Sequence, residues 1–222
     1  MQNAHIDDGG TETSVSFIIP VEGAKDTFVI GLRSSVALIK WSPTEPDNQI
    51  IKPIPLLALD STQAQRVKFN DAKCDNKGRL YLDTMIHRID AFDYSFETGV
   101  ISKRRPVFDY KSHPEVKGIP DGMSIDENDN LWVACFDGFQ VLNINPREGK
   151  LLRILDMPVR NPTSTCWGGP DYSTLFVTSA KLNSENDIEV YPETGKTFAV
   201  TGLGVKGLSP KKFKVNNISK YI

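Results

Sequence analysis

The stretch DENDNLWVACF, residues 126–136, repeats the pattern of an earlier stretch, DNKGRLYLDTM, residues 75–85. Each begins with an aspartate, continues through turn-forming and polar residues, and then reads leucine, aromatic, aliphatic. The two stretches start 51 residues apart. An apolar run of this kind after a turn predicts a buried β-strand, and its recurrence predicts a structural repeat.

Strand-like runs in the same order surround both stretches. With Val29, Tyr81, Trp132 and Phe176 as markers, successive repeats lie 52, 51 and 44 residues apart. About four strands recurring every ~40–50 residues are typical of β-propeller blades. The strands of a sandwich would instead recur every ~8–12 residues without a longer period. We therefore predict an all-β fold, a β-propeller with about four blade repeats.

Composition narrows the classes of partner and compartment. A net charge of −2 and a pI near 5.9 over 222 residues predict neither a nucleic acid nor a membrane surface as a partner. The polar N-terminus predicts no signal peptide, and no apolar run has the length of a membrane span. Cys74, Cys135 and Cys166 are widely spaced and odd in number, which predicts buried free thiols and a cytoplasmic location.

One aspartate stands at the start of a predicted strand, in GIPDGM, residues 118–123. Proline biases Ile119 toward an extended backbone, and Gly122 allows the chain to turn, so Asp121 is expected at the entry end of the strand. Asp-Gly is also ordinary turn chemistry, in which the carboxylate caps a backbone N–H. The residues alone leave both interpretations of Asp121 open.

Four segments in order carry a family resemblance: FNDAKCDNKGRLYLDTM, IPDGMSIDENDNLWVACFDG, CWGGPDYSTLFVTSA and TGLGVKG. With them the chain resembles the senescence marker protein, regucalcin and gluconolactonase family, which includes luciferin-regenerating enzyme. The resemblance covers about residues 14–210. It implies a six-bladed β-propeller with one divalent cation on its axis, and metal-dependent hydrolysis of sugar lactones. The animal members are also described as calcium-binding regulators.

The resemblance also implies site residues. The family's cation is held by a glutamate of a Gly-Glu-Gly-Pro segment, an asparagine of an Asn-Gly segment and the aspartate of Pro-Asp-Gly. Asp121 matches the last of these, and the first two segments do not occur in this sequence. In KFND, Asn70 matches a substrate-contacting asparagine, and Lys68 stands where the family has arginine. Lysine keeps the charge but lacks the planar fork that holds two hydroxyls at once.

The resemblance predicts a shortened member of the family. We expect a polar tail over residues 1–14, one propeller domain over 15–210 and a basic tail over 211–222. DTM runs directly into IHRIDAFDY, so roughly one repeat is missing and a hybrid blade is expected at this point. The short propeller could close as a smaller ring, persist as an open arc or fail to fold. An open arc is favoured, and its exposed blade edges predict self-association.

Two functions follow as hypotheses. The first is a lactonase that uses a divalent cation, calcium first and otherwise zinc, magnesium or manganese. Asp121 would then be ligand and base, and Lys68 and Asn70 would place a small sugar lactone. The alternative is a catalytically impaired form that acts as a calcium-linked regulatory or interaction protein. GLGVKG, residues 202–207, has dinucleotide-binding glycine spacing, but no helix is predicted after it, so a tight turn is the better interpretation.

Overall fold

The computed structural model describes residues 4–7, 14–42, 44–45, 48–65, 68–75, 79–84, 87–94, 101–181, 191–208 and 213–214. Their regular structure is almost entirely β-strand, with one helical turn, α1 (Ser61–Ala64), and one 3-10 turn (Tyr110–Ser112). The chain divides into two compact units. Unit 1 comprises residues 1–82, 92–104 and 211–222, and unit 2 comprises residues 83–91 and 105–210. Among the described residues, no helix has the length and hydropathy needed to cross a membrane.

The first blade is a five-stranded sheet in unit 1. Its strands are rich in β-branched residues, as in TFVIGL and SVALIK, which favour a pleated, buried backbone. The strands of this part of the chain are β1 (Ala4–Ile6), β2 (Val15–Glu22), β3 (Thr27–Leu32), β4 (Ser35–Lys40), β5 (Gln49–Ile51), β6 (Ile54–Ala58) and β18 (Phe213–Lys214). The sheet order is β18-β2-β3-β4-β6, and a separate parallel pair joins β1 to β5.

The second sheet comprises β7 (Phe69–Cys74), β8 (Leu80–Thr84), β9 (Arg88–Tyr94) and β10 (Ile101–Asp109). Its order is β10-β9-β8-β7, and its residues divide between the two units. Phe69 and Phe92 pack edge to face, with ring centroids 6.2 Å apart. Because β8 and β9 are neighbours, the two segments that run together in the sequence form one sheet, as expected of a hybrid blade. The residues at the junction, 85–86, lie outside the described part of the chain.

Two further sheets lie in unit 2, and both are antiparallel. Their strands are β11 (Ile119–Ile125), β12 (Leu131–Phe136), β13 (Gln140–Asn145), β14 (Lys150–Asp156), β15 (Pro162–Gly168), β16 (Thr174–Ser179) and β17 (Thr197–Val200). The first sheet has the order β11-β12-β13-β14, and the second has the order β15-β16-β17.

The core of unit 2 forms around two tryptophans. Trp132 and Trp167 meet edge to face with centroids 5.5 Å apart, and apolar residues of the same two sheets and of the loops beside them surround the pair. The GLGVKG segment lies in the loop that follows β17. A Cβ on Gly207 would lie 2.0 Å from the Cβ of Trp167, so this glycine is required by close packing on the tryptophan. Packing therefore explains this glycine without a dinucleotide.

The repeated aspartate closes a tight turn by hydrogen bonding. Asp126 is almost fully buried between β11 and β12. Its carboxylate accepts hydrogen bonds of 2.9 Å from the backbone N–H groups of Asn128 and Asn130 and from Nε1 of Trp132. A buried carboxylate is tolerated when several donors satisfy it. The side chain thus ties the turn to the tryptophan that follows it.

Similar contacts occur one repeat earlier, on either side of residues 76–78, which lie outside the described part of the chain. Asp75, also buried, accepts from the backbone N–H of Arg79 at 2.9 Å and from Arg79 Nε at 2.6 Å. Tyr81 stands in the place of the tryptophan, with its hydroxyl 3.5 Å from the same carboxylate. The sequence repeat therefore reflects one set of contacts, in which an aspartate holds the backbone four residues on and an aromatic six residues on.

The predicted fold class is confirmed: the chain is all-β and, within the described residues, has the four blade sheets of a β-propeller. The predicted domain boundaries, the cytoplasmic location and the self-association stay predictions. The expected C-terminal tail, 211–222, includes β18, whose two residues pair in parallel with Val21 and Glu22 of β2.

Replacing Asp126 with alanine should destabilise the protein, because the donors that this carboxylate satisfies would be buried without a partner. We expect Asp126→Ala to lower the free energy of unfolding by roughly 2–4 kcal/mol in a urea titration. Asn128→Ala is the matched control, since Asn128 is exposed in the same turn and its backbone N–H is retained. Equal effects of the two substitutions would contradict this account of the turn.

Candidate functional site

Asp121 lies at a β-bulge. It is the third residue of β11 and is half-buried. The pairing of β11 with β12 shifts between Pro120, opposite Cys135, and Met123, opposite Val133. Two residues, Asp121 and Gly122, therefore face a single residue on the partner strand. A bulge re-aims the side chains that it carries, and such bulges are over-represented beside active sites.

Gly122 allows two sheets of unit 2 to approach at this bulge. A Cβ on Gly122 would lie 2.2 Å from Oγ and 2.8 Å from Cα of Ser164 on β15. A backbone atom at that distance cannot move aside as a flexible side chain could, so only glycine fits. One residue pair further along, Ser124 Oγ and Thr165 Oγ1 are hydrogen-bonded at 2.9 Å. These contacts fix the backbone on which Asp121 stands.

The loop before β11 is also held in place. Gly118 has a φ of +75°, and a Cβ there would lie 2.2 Å from the carbonyl oxygen of Phe136. Buried Gln140 accepts a hydrogen bond of 3.0 Å from the backbone N–H of Lys117. Glycine is favoured at this positive φ, and the Gln140 contact anchors the preceding residue. The chain therefore enters β11 along a defined path.

A buried tyrosine and thiol lie close to Asp121. The hydroxyl of Tyr110 is 3.6 Å from Sγ of Cys135, and both residues are buried. Burial raises the pKa of Tyr110 well above its usual value, and Cys135 and the carboxylates of Asp83 and Asp121 raise that pKa further. Both nearby side chains are therefore neutral, since burial also raises the pKa of Cys135 to about 12.

The interaction of Tyr110 with Cys135, and with the charges of Asp83 and Asp121, was not predicted from the sequence. Asp83 is fully buried at the end of β8, and its charge acts on Tyr110. A sequence signal did exist for Asp83, because an aspartate directly after the apolar run LYL is unusual in a buried strand. Nothing in the residues around Tyr110 or Cys135 indicates their pairing, which joins segments 25 residues apart.

The other predicted site residues lie in unit 1. Lys68 is exposed immediately before β7, and Asn70 is half-buried in that strand. Because β7 begins at Phe69, Asn70 and Asp71 lie within the strand, whereas turn chemistry would place them before it. Asp71 forms an ion pair of 2.8 Å with Lys73. Lys68 and Asn70 are thus brought to one end of one strand.

The described residues offer few oxygen ligands for a divalent cation. Hard cations such as calcium take about six to eight oxygen ligands, usually with several carboxylates. In the part of the chain that the structure describes, no group of three or more His, Cys, Asp or Glu residues could hold a metal ion. Asp121 supplies one carboxylate on a constrained backbone, so the described residues do not by themselves make a complete all-protein cation site.

Comparison with known proteins identifies the family. The family model described as the SMP-30/Gluconolactonase/LRE-like region matches residues 80–181. Regucalcin of Danio rerio is 40% identical over 170 residues, which are 76% of this chain and 54% of that protein. The chain spans about half the length of the curated relatives that it matches.

Solved structures agree in fold. A luciferin-regenerating enzyme is 28% identical, with 91% of this chain and 81% of that chain covered and a TM-score of 0.56. A calcium-binding protein, regucalcin, from Agrobacterium tumefaciens strain C58 is 18% identical, with 90% and 80% covered and a TM-score of 0.59. At this identity the second comparison shows the fold alone.

The three thiols should differ sharply in reactivity. Burial, followed by the charge of Asp75, raises the pKa of Cys74 to about 12, and burial raises that of Cys135 to about 12 as well. A thiol with a raised pKa is protonated and unreactive at lower pH, because the thiolate is the nucleophile. The prediction of buried thiols is right for Cys135 and wrong for Cys166, which faces outward on β15 and is exposed, while Cys74 is half-buried at the end of β7.

We therefore expect an aromatic disulfide reagent at about pH 8 to modify one thiol quickly in the native protein and all three in denaturant. Peptide mass spectrometry should locate the fast modification at Cys166. The Cys166→Ser variant is the control and should have no fast-reacting thiol. Rapid modification of Cys135 in the native protein would contradict the buried pairing with Tyr110.

Proposed function

Because the chain belongs to the SMP-30/gluconolactonase/LRE-like family, we propose that it hydrolyses small-molecule sugar lactones and that Asp121 carries the reaction. The observation that supports this most is the position of Asp121, which stands on a bulge held by glycine-dependent packing and near the neutral side chains of Tyr110 and Cys135. A carboxylate that only caps a turn would not need this support from a second sheet.

Asp121 acts as the general base in this proposal. Its carboxylate takes a proton from water as the water oxygen bonds to the lactone carbonyl carbon. The ring carbon–oxygen bond then breaks and the ring oxygen takes that proton back from Asp121, so one lactone and one water become one open-chain hydroxy acid. The neutral side chains of Tyr110 and Cys135 favour this role, since no positive charge from them lowers the basicity of the carboxylate.

We also propose a divalent cation as cofactor, with calcium first and zinc, magnesium or manganese as alternatives, and Asp121 as a ligand. A bound cation would polarise the lactone carbonyl and lower the pKa of water. The support is the family, including a solved relative named as a calcium-binding protein. Further oxygen ligands would have to come from water, substrate or residues outside the described ranges.

Lys68 and Asn70 are proposed to place the lactone. Both are polar side chains at the start of β7, and their types suit the hydroxyl groups of a sugar-like substrate. Lysine offers a single ammonium where arginine would offer a bidentate fork, so a weaker hold on the substrate is expected. These residues contribute to binding, and Asp121 contributes to the chemical step.

Turnover of glucono-δ-lactone tests the proposal in the calcium-loaded protein. Asp121→Asn should lower kcat by about 100-fold or more, because the amide cannot accept the proton. Asp137→Asn is the matched control: Asp137 is also an aspartate of unit 2, its side chain is 53% exposed, and it should retain full turnover. In the same assay Asn70→Ala should raise KM with little change in kcat.

Lack of turnover in the unmodified chain would contradict the lactonase proposal and favour a calcium-linked regulatory or interaction role. Equal turnover in the Asp121→Asn and Asp137→Asn variants would show instead that a different residue acts as the base. The thermal unfolding of each variant is measured as well, because a folding defect would also lower turnover and has to be distinguished from loss of the base.

Calcium binding is measured directly by titration calorimetry. The unmodified chain and Asp137→Asn should give saturable heat, and Asp121→Ala should lose it, because a cation held by few protein oxygens tolerates no loss of a carboxylate. Repeating the titration with zinc, magnesium and manganese identifies the preferred ion. Saturable heat that persists in Asp121→Ala would place the cation elsewhere.

A further inference from the structure

Unit 1 contains a cleft of about 380 Å³ that includes none of the residues assigned above to lactone hydrolysis. Its size falls in the range of small-ligand sites. It lies between the end of β4 and strand β5, with the start of β3 and of β6 at its sides. Leucine and isoleucine residues of β4, β5 and β6 line it together with the polar residues Thr27, Lys40, Gln49 and Lys52.

The cleft exists because the last strand of the first blade is interrupted. β4 pairs with β6 only over Ser35–Leu38, although β4 continues to Lys40. Between β5 and β6 the chain passes through Lys52 and Pro53, and proline has no N–H with which to continue a ladder. β5 pairs in parallel with β1 instead. The last two residues of β4 therefore face the cleft without a β6 residue opposite them in the described pairing.

The walls of the cleft are aliphatic. Five of its nine lining residues are leucine or isoleucine, and Ile39 and Ile51 also belong to the buried cluster of this blade. Ile50 is 75% exposed at the mouth of the cleft, the largest exposure among the exposed large hydrophobic side chains of the described residues. Covering such a side chain with an apolar ligand is favourable, because apolar surface is removed from water.

The polar groups of the cleft favour a negative charge. Lys40 and Lys52 are exposed, and neither forms an ion pair with a carboxylate among the residues that the structure describes. The other polar groups are engaged within the protein, since Gln49 Nε2 donates to Ser42 O at 2.9 Å and Thr27 Oγ1 to Lys25 O at 3.0 Å. Lys40 and Lys52 are thus the exposed cationic side chains among the lining residues of the cleft.

We propose that this cleft binds a small amphiphilic carboxylate. The aliphatic chain of the ligand lies along Ile50 and Ile54, the aliphatic lining residues whose side chains keep accessible surface, and its carboxylate meets the ammonium groups of Lys40 and Lys52. An apolar body with one anionic end matches both the walls and the charge, whereas a neutral sugar lactone matches neither. The site is thus distinct from lactone hydrolysis and does not depend on it.

Octanoate is the probe, titrated into the full chain with binding followed by calorimetry. We expect saturable binding that the double variant Lys40→Gln/Lys52→Gln weakens by about 5-fold or more, because two exposed charge contacts are lost. Ile50→Ser should weaken it as well, since it removes the exposed apolar wall without disturbing the buried core. Lys111→Gln is the control, because Lys111 is an exposed lysine of unit 2, and it should bind octanoate like the unmodified chain.

Octanol, with a similar chain and no carboxylate, should bind more weakly than octanoate. No saturable octanoate binding, or equal binding by the Lys40→Gln/Lys52→Gln variant, would overturn the proposal. Self-association that Ile50→Ser abolishes and octanoate does not affect would overturn it in favour of an interface between copies. The Asp121→Asn variant should retain octanoate binding, so failure of the lactonase proposal is distinguishable from failure of this one.

Discussion

A buried carboxylate that closes a turn is the constraint on which the repeats depend. Asp126 is placed out of water, where a lone charge would be very costly, and three N–H donors within the next six residues satisfy it. That arrangement is possible only if the backbone turns tightly and the aromatic ring of Trp132 folds back over the turn. The register of β11 against β12 is therefore set at this end of the hairpin, and Asp75 makes similar contacts one repeat earlier.

Because the register of β11 against β12 is set at the turn, the β-bulge lies toward the other end of β11. The extra residue of β11 is accommodated between Pro120 and Met123, where Asp121 stands. Similar shifts occur on the first strand of two other sheets in the described pairings, between Val15 and Ile18 on β2 and between Pro162 and Ser164 on β15. A bulge at this position is thus a recurring property of the blade. In the blade that begins with β11, the bulge carries the carboxylate of Asp121.

Much of this was predictable from local sequence, because turns and buried strands depend on residues close in the chain. The aspartate turn, the strand after it and the placement of Asp121 all belong to this class. The neighbours of Asp121 do not, since Tyr110 and Cys135 approach it only through the pairing of separate segments. The exposure of Cys166 was missed for a related reason: which face of β15 is covered depends on the neighbouring sheet, whose position local pattern does not specify.

The charges around Tyr110 bear on what Asp121 can bind. Burial first, then Cys135, and then the carboxylates of Asp83 and Asp121 raise the pKa of the Tyr110 phenol, so the phenol stays neutral beside negative charge. In the proposed function, the carboxylate of Asp121 would either accept a proton from water or hold a cation. The first would make Asp121 a general base and the second would make it a ligand. The proposed hydrolysis would need both roles of this one half-buried carboxylate.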